Sequence, residues 1–221
     1  MPLRAGMSVP WLLAATVIGL DEAGKGDYFG PLVVAAVAGK AEELRALGVA
    51  DSKRVADRRA QTLAQAVRSR FPVEVVAVHP ARYNDLYAQM KNLNRLLAWC
   101  HARALENLLG RTGVTTVIAD QFAAPHVLER ALQERGRAVE LIQLHRAEVH
   151  PVVAAASLVA RAEFLTRLAA LAQKWQVDLP KGAGSPVDAA GRNVWSKGGA
   201  DLLRQVAKLH FKTTQKIGAH V

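Results

Sequence analysis

Apolar and polar positions in this chain switch between two repeats. Five short apolar runs rich in Val, Ile and Ala, at about 16–21, 31–38, 73–79, 114–120 and 138–144, predict strands. Between them, apolar positions recur every three to four residues. That spacing predicts helices from Asp57 to Ser69, from Asp85 to Leu109 and from Pro125 to Arg135, the last opened by a proline suited to a first helical turn. Pro151 to Lys174 reads as a long helix whose many small residues allow it to lie close on a sheet. Only a glycine-rich turn separates the first two strands, so an antiparallel hairpin is expected there. The later strands alternate with helices, giving an α/β fold with a mixed five-stranded sheet flanked by helices.

From Gln173 onward the pattern changes. Eight Lys and Arg face three Asp there, and two further helices, about 186–197 and 200–210, follow the loop Leu179 to Gly184. This predicts a basic helical C-terminal extension. Any single lysine within it equally suits a solvated helix face.

The 221 residues can bury a full core, and 51% hydrophobic with 22% charged residues is ordinary for a soluble protein. The net charge of +10 is not ordinary, and it favours a polyanionic partner, nucleic acid ahead of an anionic membrane surface. Cys100 is the single cysteine, which excludes an intramolecular disulfide and a thiolate metal cluster and suits the cytoplasm. The apolar stretch Val9 to Leu20 superficially resembles a signal peptide, but it runs into Asp21-Glu22 without a cleavage site and reads as a buried strand. No segment reaches the roughly 18 apolar residues of a membrane span, so no membrane association is expected.

Four carboxylates carry the candidate chemistry. Asp21 and Glu22 end the first strand, Asp120 ends the fourth, and Glu148 lies just past the fifth. Sites in open α/β sheets form beyond the carboxyl ends of strands, where these groups would gather. Grouped there, they would repel one another and rise in pKa unless hard divalent cations joined them. Two such ions would clamp the attacking and leaving oxygens of a phosphodiester. Two of the four carboxylates also have a plainer role open to them. Asp120 could cap the helix after it, and Glu148 could face a helix dipole. The adjacent pair Asp21-Glu22 precedes a turn and a strand, so neither role fits it.

Gly19-x-x-x-x-Gly24-Lys25 imitates a nucleotide-binding P-loop. Gly26 replaces the magnesium-binding hydroxyl, two acids would lie in the phosphate cradle, and a strand follows instead of a helix. A nucleoside triphosphatase is therefore set aside.

The stretch Asp21-Glu22-Ala23-Gly24-Lys25-Gly26-Asp27-Tyr28-Phe29-Gly30-Pro31 resembles the opening motif of type 2 ribonucleases H, in the wording of the ribonuclease HIII branch. Asp51-Ser52-Lys53, Ile118 to Phe122, Ala147-Glu148 and Ala154 to Arg161 resemble the family's later motifs, in its order. Leu179 to Gly184 and Lys208-Leu209-His210-Phe211 also resemble the HIII branch. The resemblance implies an RNase H-like catalytic domain over 1–172, with 173–221 as a basic extension packed on the same domain. It implies cleavage of the RNA strand of RNA–DNA hybrids, leaving 5′-phosphate and 3′-hydroxyl ends, with two Mg²⁺ or Mn²⁺ ions. Asp21, Glu22, Asp120 and Glu148 would be the catalytic metal ligands. Gly24, Lys25 and Gly26 would approach the hybrid near the scissile phosphate, and Ser52 and Lys53 would hold another phosphate. No obligatory protein partner is implied, and a monomer is expected.

Two departures qualify the resemblance. HIII proteins generally carry an N-terminal substrate-binding domain, whereas only about 20 residues precede the acidic pair here; the basic C-terminal quarter is expected to supply affinity instead. The turn reads Gly-Lys-Gly, closer to the Gly-Arg-Gly of HII enzymes than to the Gly-Thr-Gly of HIII. All three tyrosines, Tyr28, Tyr83 and Tyr87, lie in the first half, so the C-terminal tyrosine that HII enzymes use at an RNA–DNA junction has no counterpart. Preference for runs of ribonucleotides is the expectation. HII-like cutting at a single ribonucleotide, a DNA junction resolvase and a non-catalytic nucleic-acid binder remain the alternatives.

Overall fold

A computed structural model describes residues 15–49 and 55–219. The strands are β1 (Thr16–Ala23), β2 (Leu32–Lys40), β3 (Val73–Val78), β4 (Thr116–Asp120) and β5 (Glu140–Leu144). They form one sheet in the order β3-β2-β1-β4-β5. β1 pairs antiparallel with β2, from Thr16 opposite Lys40 to Ala23 opposite Val33, as the short glycine-rich turn requires. β2 pairs antiparallel with β3, whereas β1–β4 and β4–β5 are parallel. The carboxyl ends of β1, β4 and β5 therefore open on one edge of the sheet. The expected strand beginning at Val9 starts at Thr16; Val9 to Ala14 lie outside the described residues.

β2 is buried at every position but Lys40, because helices cover both faces. Successive side chains of a strand point to opposite faces, and the two cores divide accordingly. Val17, Val33, Ala35 and Val37 pack with Val152, Val153 and Ala156 of α7 (Pro151–Trp175). Ile18, Leu20, Val34 and Ala36 pack with Leu97, Leu105 and Leu108 of α4 (Leu93–Thr112). Gly19 lets α7 approach β1 closely: a Cβ there would lie 2.4 Å from the Val152 carbonyl oxygen.

The remaining helices are α1 (Ala41–Ala46), α2 (Asp57–Arg70), α3 (Pro80–Met90), α5 (Pro125–Ala131), α6 (Glu134–Arg137), α8 (Ser185–Val206) and α9 (Lys212–Lys216). The single helix expected from Asp85 to Leu109 is two. Lys91 turns left-handed (φ 47°), and the Asn92 side chain caps α4 by accepting from the Arg95 amide at 3.2 Å. The helix expected from Pro125 to Arg135 also breaks, where buried Glu106 accepts the amides of Gln133 and Gly136 at 2.9 and 2.7 Å. α8 kinks at Gly198 and Gly199, and it stops at Val206 rather than 210 because Ala207 bridges to Phe29.

The C-terminal quarter is built into the molecule. Val187, Val194, Leu203 and Val206 belong to the same core as α7. Much of its positive charge is also engaged internally. Lys181 pairs with Asp57, Arg204 with Asp85 and Lys216 with Asp188; Lys197 donates to the carbonyls of Trp175 and Gln176, and Lys208 is buried.

Candidate active site

Asp21 and Asp120 are the next residues along two paired parallel strands, whose last partners are Leu20 and Ala119. In register, both point to the α7 face. Asp21 hydrogen-bonds Ser157 of α7, and its Oδ1 accepts the Glu22 amide at 2.8 Å. Asp120 Oδ1 accepts the Ala147 amide at 2.8 Å. Ala147 opens a 3-10 turn, Ala147–Val149, that carries Glu148 and leads into α7.

Strand alternation sends Glu22 to the other face, towards α4. Its Oε2 lies 3.0 Å from Nε2 of His101, a residue of that helix with no exposed surface. Its Oε1 accepts from Lys25 Nζ at 3.4 Å. The adjacent acids thus straddle the sheet edge, each tethered by the helix on its own side.

Their proton affinities diverge for this reason. Burial, then the charge of Glu22 and more weakly that of Asp120, pushes the Asp21 carboxyl up to about 7 against the pull of its hydrogen bonds. Burial acts on Glu22 in the same direction, but His101 and Lys25 outweigh it and hold the group below the ordinary glutamate range. The upward shift expected of the clustered carboxylates is therefore found at Asp21 and reversed at Glu22.

The glycine-rich turn divides in function. Gly24 has φ 84°, and a Cβ on it would sit 2.2 Å from the Pro31 carbonyl oxygen and 2.9 Å from the Phe164 ring, so the fold itself demands glycine there. Gly26 is exposed with open space around it. Lys25 leans over the site, its Nζ 5.9 Å from the centre of the Phe122 ring. Ser52 and Lys53 lie outside the described residues.

C-terminal segments hold the stretch from Asp27 to Gly30, just beyond the turn. Asp27 Oδ1 accepts the Gly182 amide at 2.7 Å, and the Tyr28 amide returns to the Gly182 carbonyl at 2.9 Å. The Gly30 amide donates to Val206, and the Lys208 amide to Tyr28. Lys208 Nζ donates to the carbonyls of Asp27 and Gly30, each at 2.7 Å.

The contacts made by two contributors, His101 and Lys208, escape sequence reasoning. The signal for His101 was a polar residue on the buried stripe of Leu97, Ala104, Leu105 and Leu108 in α4. Lys208 stood in a stretch that resembles the HIII branch, but nothing local marked it as buried. Of the histidines flanking Glu148, His145 is exposed, and His150 caps α7 by accepting from the Val152 amide.

All four acidic side chains offer oxygen, the donor type hard divalent cations take. The high pKa of Asp21 marks a place where anionic charge is crowded and poorly solvated, so the residues fit such ions. Among the described residues, no three His, Cys, Asp or Glu side chains are drawn to the spacing of a closed metal site. Glu22 is turned to His101 and Lys25, and Asp120 to the Ala147 amide.

Residues 18–214 match the family model for Ribonuclease HII. The chain is 45% identical over 203 residues to the Ribonuclease HIII of Protochlamydia amoebophila (strain UWE25), covering 90% of this chain and 67% of the relative. It is 46% identical over 206 residues to that of Chlamydia pneumoniae, covering 90% and 69%. Bst-RNase HIII in complex with Mn²⁺ superposes with a TM-score of 0.87 at 34% identity, over 93% of this chain and 70% of the other.

Proposed function

The chain belongs to the ribonuclease HII family, in its ribonuclease HIII branch, and on that premise we propose that Asp21, Glu22, Asp120 and Glu148 are the catalytic, metal-holding groups with which it cuts the RNA strand of RNA–DNA hybrids. It is a ribonuclease H, a hydrolase. The observation that carries the assignment is that Asp21 and Asp120 end adjacent parallel strands, where burial first and the neighbouring charge of Glu22 second raise the Asp21 carboxyl to about 7. A protein that merely bound nucleic acid would gain nothing from anionic groups facing phosphate, which disfavours the non-catalytic reading.

Bst-RNase HIII is a complex with Mn²⁺, and we carry to this chain two divalent ions, Mg²⁺ or Mn²⁺. Held by these four carboxylates, such ions would supply charge stabilisation for the oxygens of a phosphodiester and would acidify water. The chain's own residues prepare the site. Ser157 orients Asp21, the Ala147 amide orients Asp120, and the fastened turn presents Lys25 and Gly26 to the hybrid. Ser52 and Lys53 hold a backbone phosphate, and Gly24 shapes the turn from within. We assign 1–172 to the catalytic unit and 173–221 to an extension of the same domain. Products carry 5′-phosphate and 3′-hydroxyl ends. With no tyrosine after Tyr87, the enzyme prefers runs of ribonucleotides. It acts as a monomer in the cytoplasm; no helix among the described residues is long and apolar enough to cross a membrane.

The test is Asp21→Asn on hybrids and on duplexes holding one, four or twelve ribonucleotides. Cleavage should fall by more than the roughly 10–100-fold typical of losing a ligand's supporting partner, while hybrid binding in Ca²⁺ persists. Undiminished cleavage would remove Asp21 from the site, and efficient cutting at one ribonucleotide would overturn the substrate preference.

A further inference from the structure

We infer that His101 is a positioning residue for Glu22: it pins one carboxylate oxygen, Oε2, so that Oε1 is the oxygen left to a divalent cation. The inference rests on the reading of Glu22 as a metal ligand. His101 has no exposed surface and sits on the apolar face of α4. An imidazole there costs stability unless it finds a hydrogen-bonding partner. Its Nε2 meets Glu22 Oε2 at 3.0 Å, and its Nδ1 is buried with no hydrogen-bond partner among the described residues. The ring's polar contacts are thus directed at a single carboxylate. A leucine would pack in this core without leaving a nitrogen unsatisfied, so packing alone gives no reason for histidine.

The ring is itself held in orientation. It stacks on Phe122 with centroids 4.8 Å apart and planes 29° apart, and Phe122 lies two residues past Asp120. Glu22 is thereby referenced both to α4 and to the end of β4. Its other oxygen has a looser partner. Lys25 approaches Oε1 only to 3.4 Å, with 38% of its side chain exposed, and can swing away when a cation and a phosphate arrive. A glutamate without the His101 contact would have to lose the freedom of three rotatable bonds on each binding event. Supporting contacts of this kind are worth about 10–100-fold in metal affinity or activity.

The test measures Mn²⁺ binding by calorimetry without substrate, together with kcat and KM on a hybrid, for His101→Leu, His101→Gln and Glu22→Gln. His101→Leu should weaken Mn²⁺ binding about 10–100-fold and lower kcat at limiting Mn²⁺, with KM for the hybrid unchanged. His101→Gln places an amide nitrogen near the Nε2 position and should recover most of both. A folded His101→Leu that binds Mn²⁺ as the wild type does would overturn the inference, as would equal impairment of the Leu and Gln variants. If His101→Leu fails to fold, Gln is compared with Asn, whose amide is too short to reach Glu22; equal Mn²⁺ affinity for those two overturns it. Wild-type Mn²⁺ affinity in Glu22→Gln would bring down the parent reading and this inference together. Loss in Glu22→Gln without loss in His101→Leu brings down this inference alone.

Discussion

The Ala147 amide donates a 2.8 Å hydrogen bond to Asp120 Oδ1, so the third acid of the site holds the turn that carries the fourth, Glu148. Charge and scaffold can be separated at this position. Asp120→Asn keeps an oxygen for the Ala147 amide and removes the charge, whereas Asp120→Ala removes both. Both variants should lose hybrid cleavage. Only the alanine variant should lose stability, by about 1 kcal/mol for the missing acceptor, or a fall of roughly 2–4 °C in Tm in EDTA. Equal Tm values for the two variants would show that the bond does not organise the turn.

Asp21 predicts a pH dependence with a definite sign. Its carboxyl has an ordinary value of 3.8 and is raised to about 7 in the folded chain. The folded protein therefore keeps this proton after the unfolded chain has released it. The stability Asp21 lends is complete below 3.8 and is lost as the pH rises to about 7, on the order of 4 kcal/mol in all. Urea midpoints in EDTA, taken as wild type minus Asp21→Asn, should fall across that range and level off above it. Asp21→Asn should thus be the more stable protein at pH 8 while being inactive, and Mn²⁺ should restore much of the wild type's deficit. A difference that stays flat with pH would contradict the burial of the Asp21 carboxyl beside Glu22.

Gly24 and Gly26 look equivalent in sequence and should respond oppositely to alanine. At Gly24 the added Cβ meets the Pro31 carbonyl and Phe164 at a positive φ, so Gly24→Ala should destabilise by about 1–3 kcal/mol. Gly26→Ala meets nothing within 4 Å and should fold normally. Its cost should appear as a higher KM for the hybrid, because the methyl group stands where a backbone would approach. A normal KM for Gly26→Ala would place the substrate elsewhere.

The strand-and-helix frame was legible because burial on both sheet faces leaves continuous apolar runs in the sequence: Val33, Ala35 and Val37 face one helix, Val34 and Ala36 the other. The strand-end positions of Asp21, Glu22 and Asp120 were legible because strand ends are local features. The direction of Glu22 was not, since it depends on a histidine from a helix about 80 residues later in the chain. The breaks after Met90 and Ala131 hid for a different reason. Helical periodicity continues across them, and what opens the helix after each break is a side-chain acceptor, Asn92 in one case and distant Glu106 in the other. Reading the C-terminal quarter by its charge also missed that several of its cations are paired within the chain, at the surface for Lys181, Arg204 and Lys197 and in the core for Lys208.

Lys208 is the strongest instance of such internal use. It has no exposed surface, and burial lowers its amine to about 7. Its Nζ donates to the carbonyls of Asp27 and Gly30 while its own amide donates to Tyr28, so one residue fastens both ends of the segment just after the acidic turn. Lys208→Met keeps most of the buried volume but strips those carbonyls of their lysine donor. The variant should lose about 1–3 kcal/mol in urea denaturation. If the fastening matters for catalysis, kcat on a hybrid should fall even under conditions where the variant remains fully folded, because Lys25 and Gly26 ride on the freed segment. Arg204→Ala is the control. It removes a half-exposed cation of the same C-terminal quarter, paired with Asp85, and leaves the turn untouched. Salt-dependent hybrid binding that suffers equally in both variants, with kcat preserved in each, would mean that Lys208 contributes charge and not position.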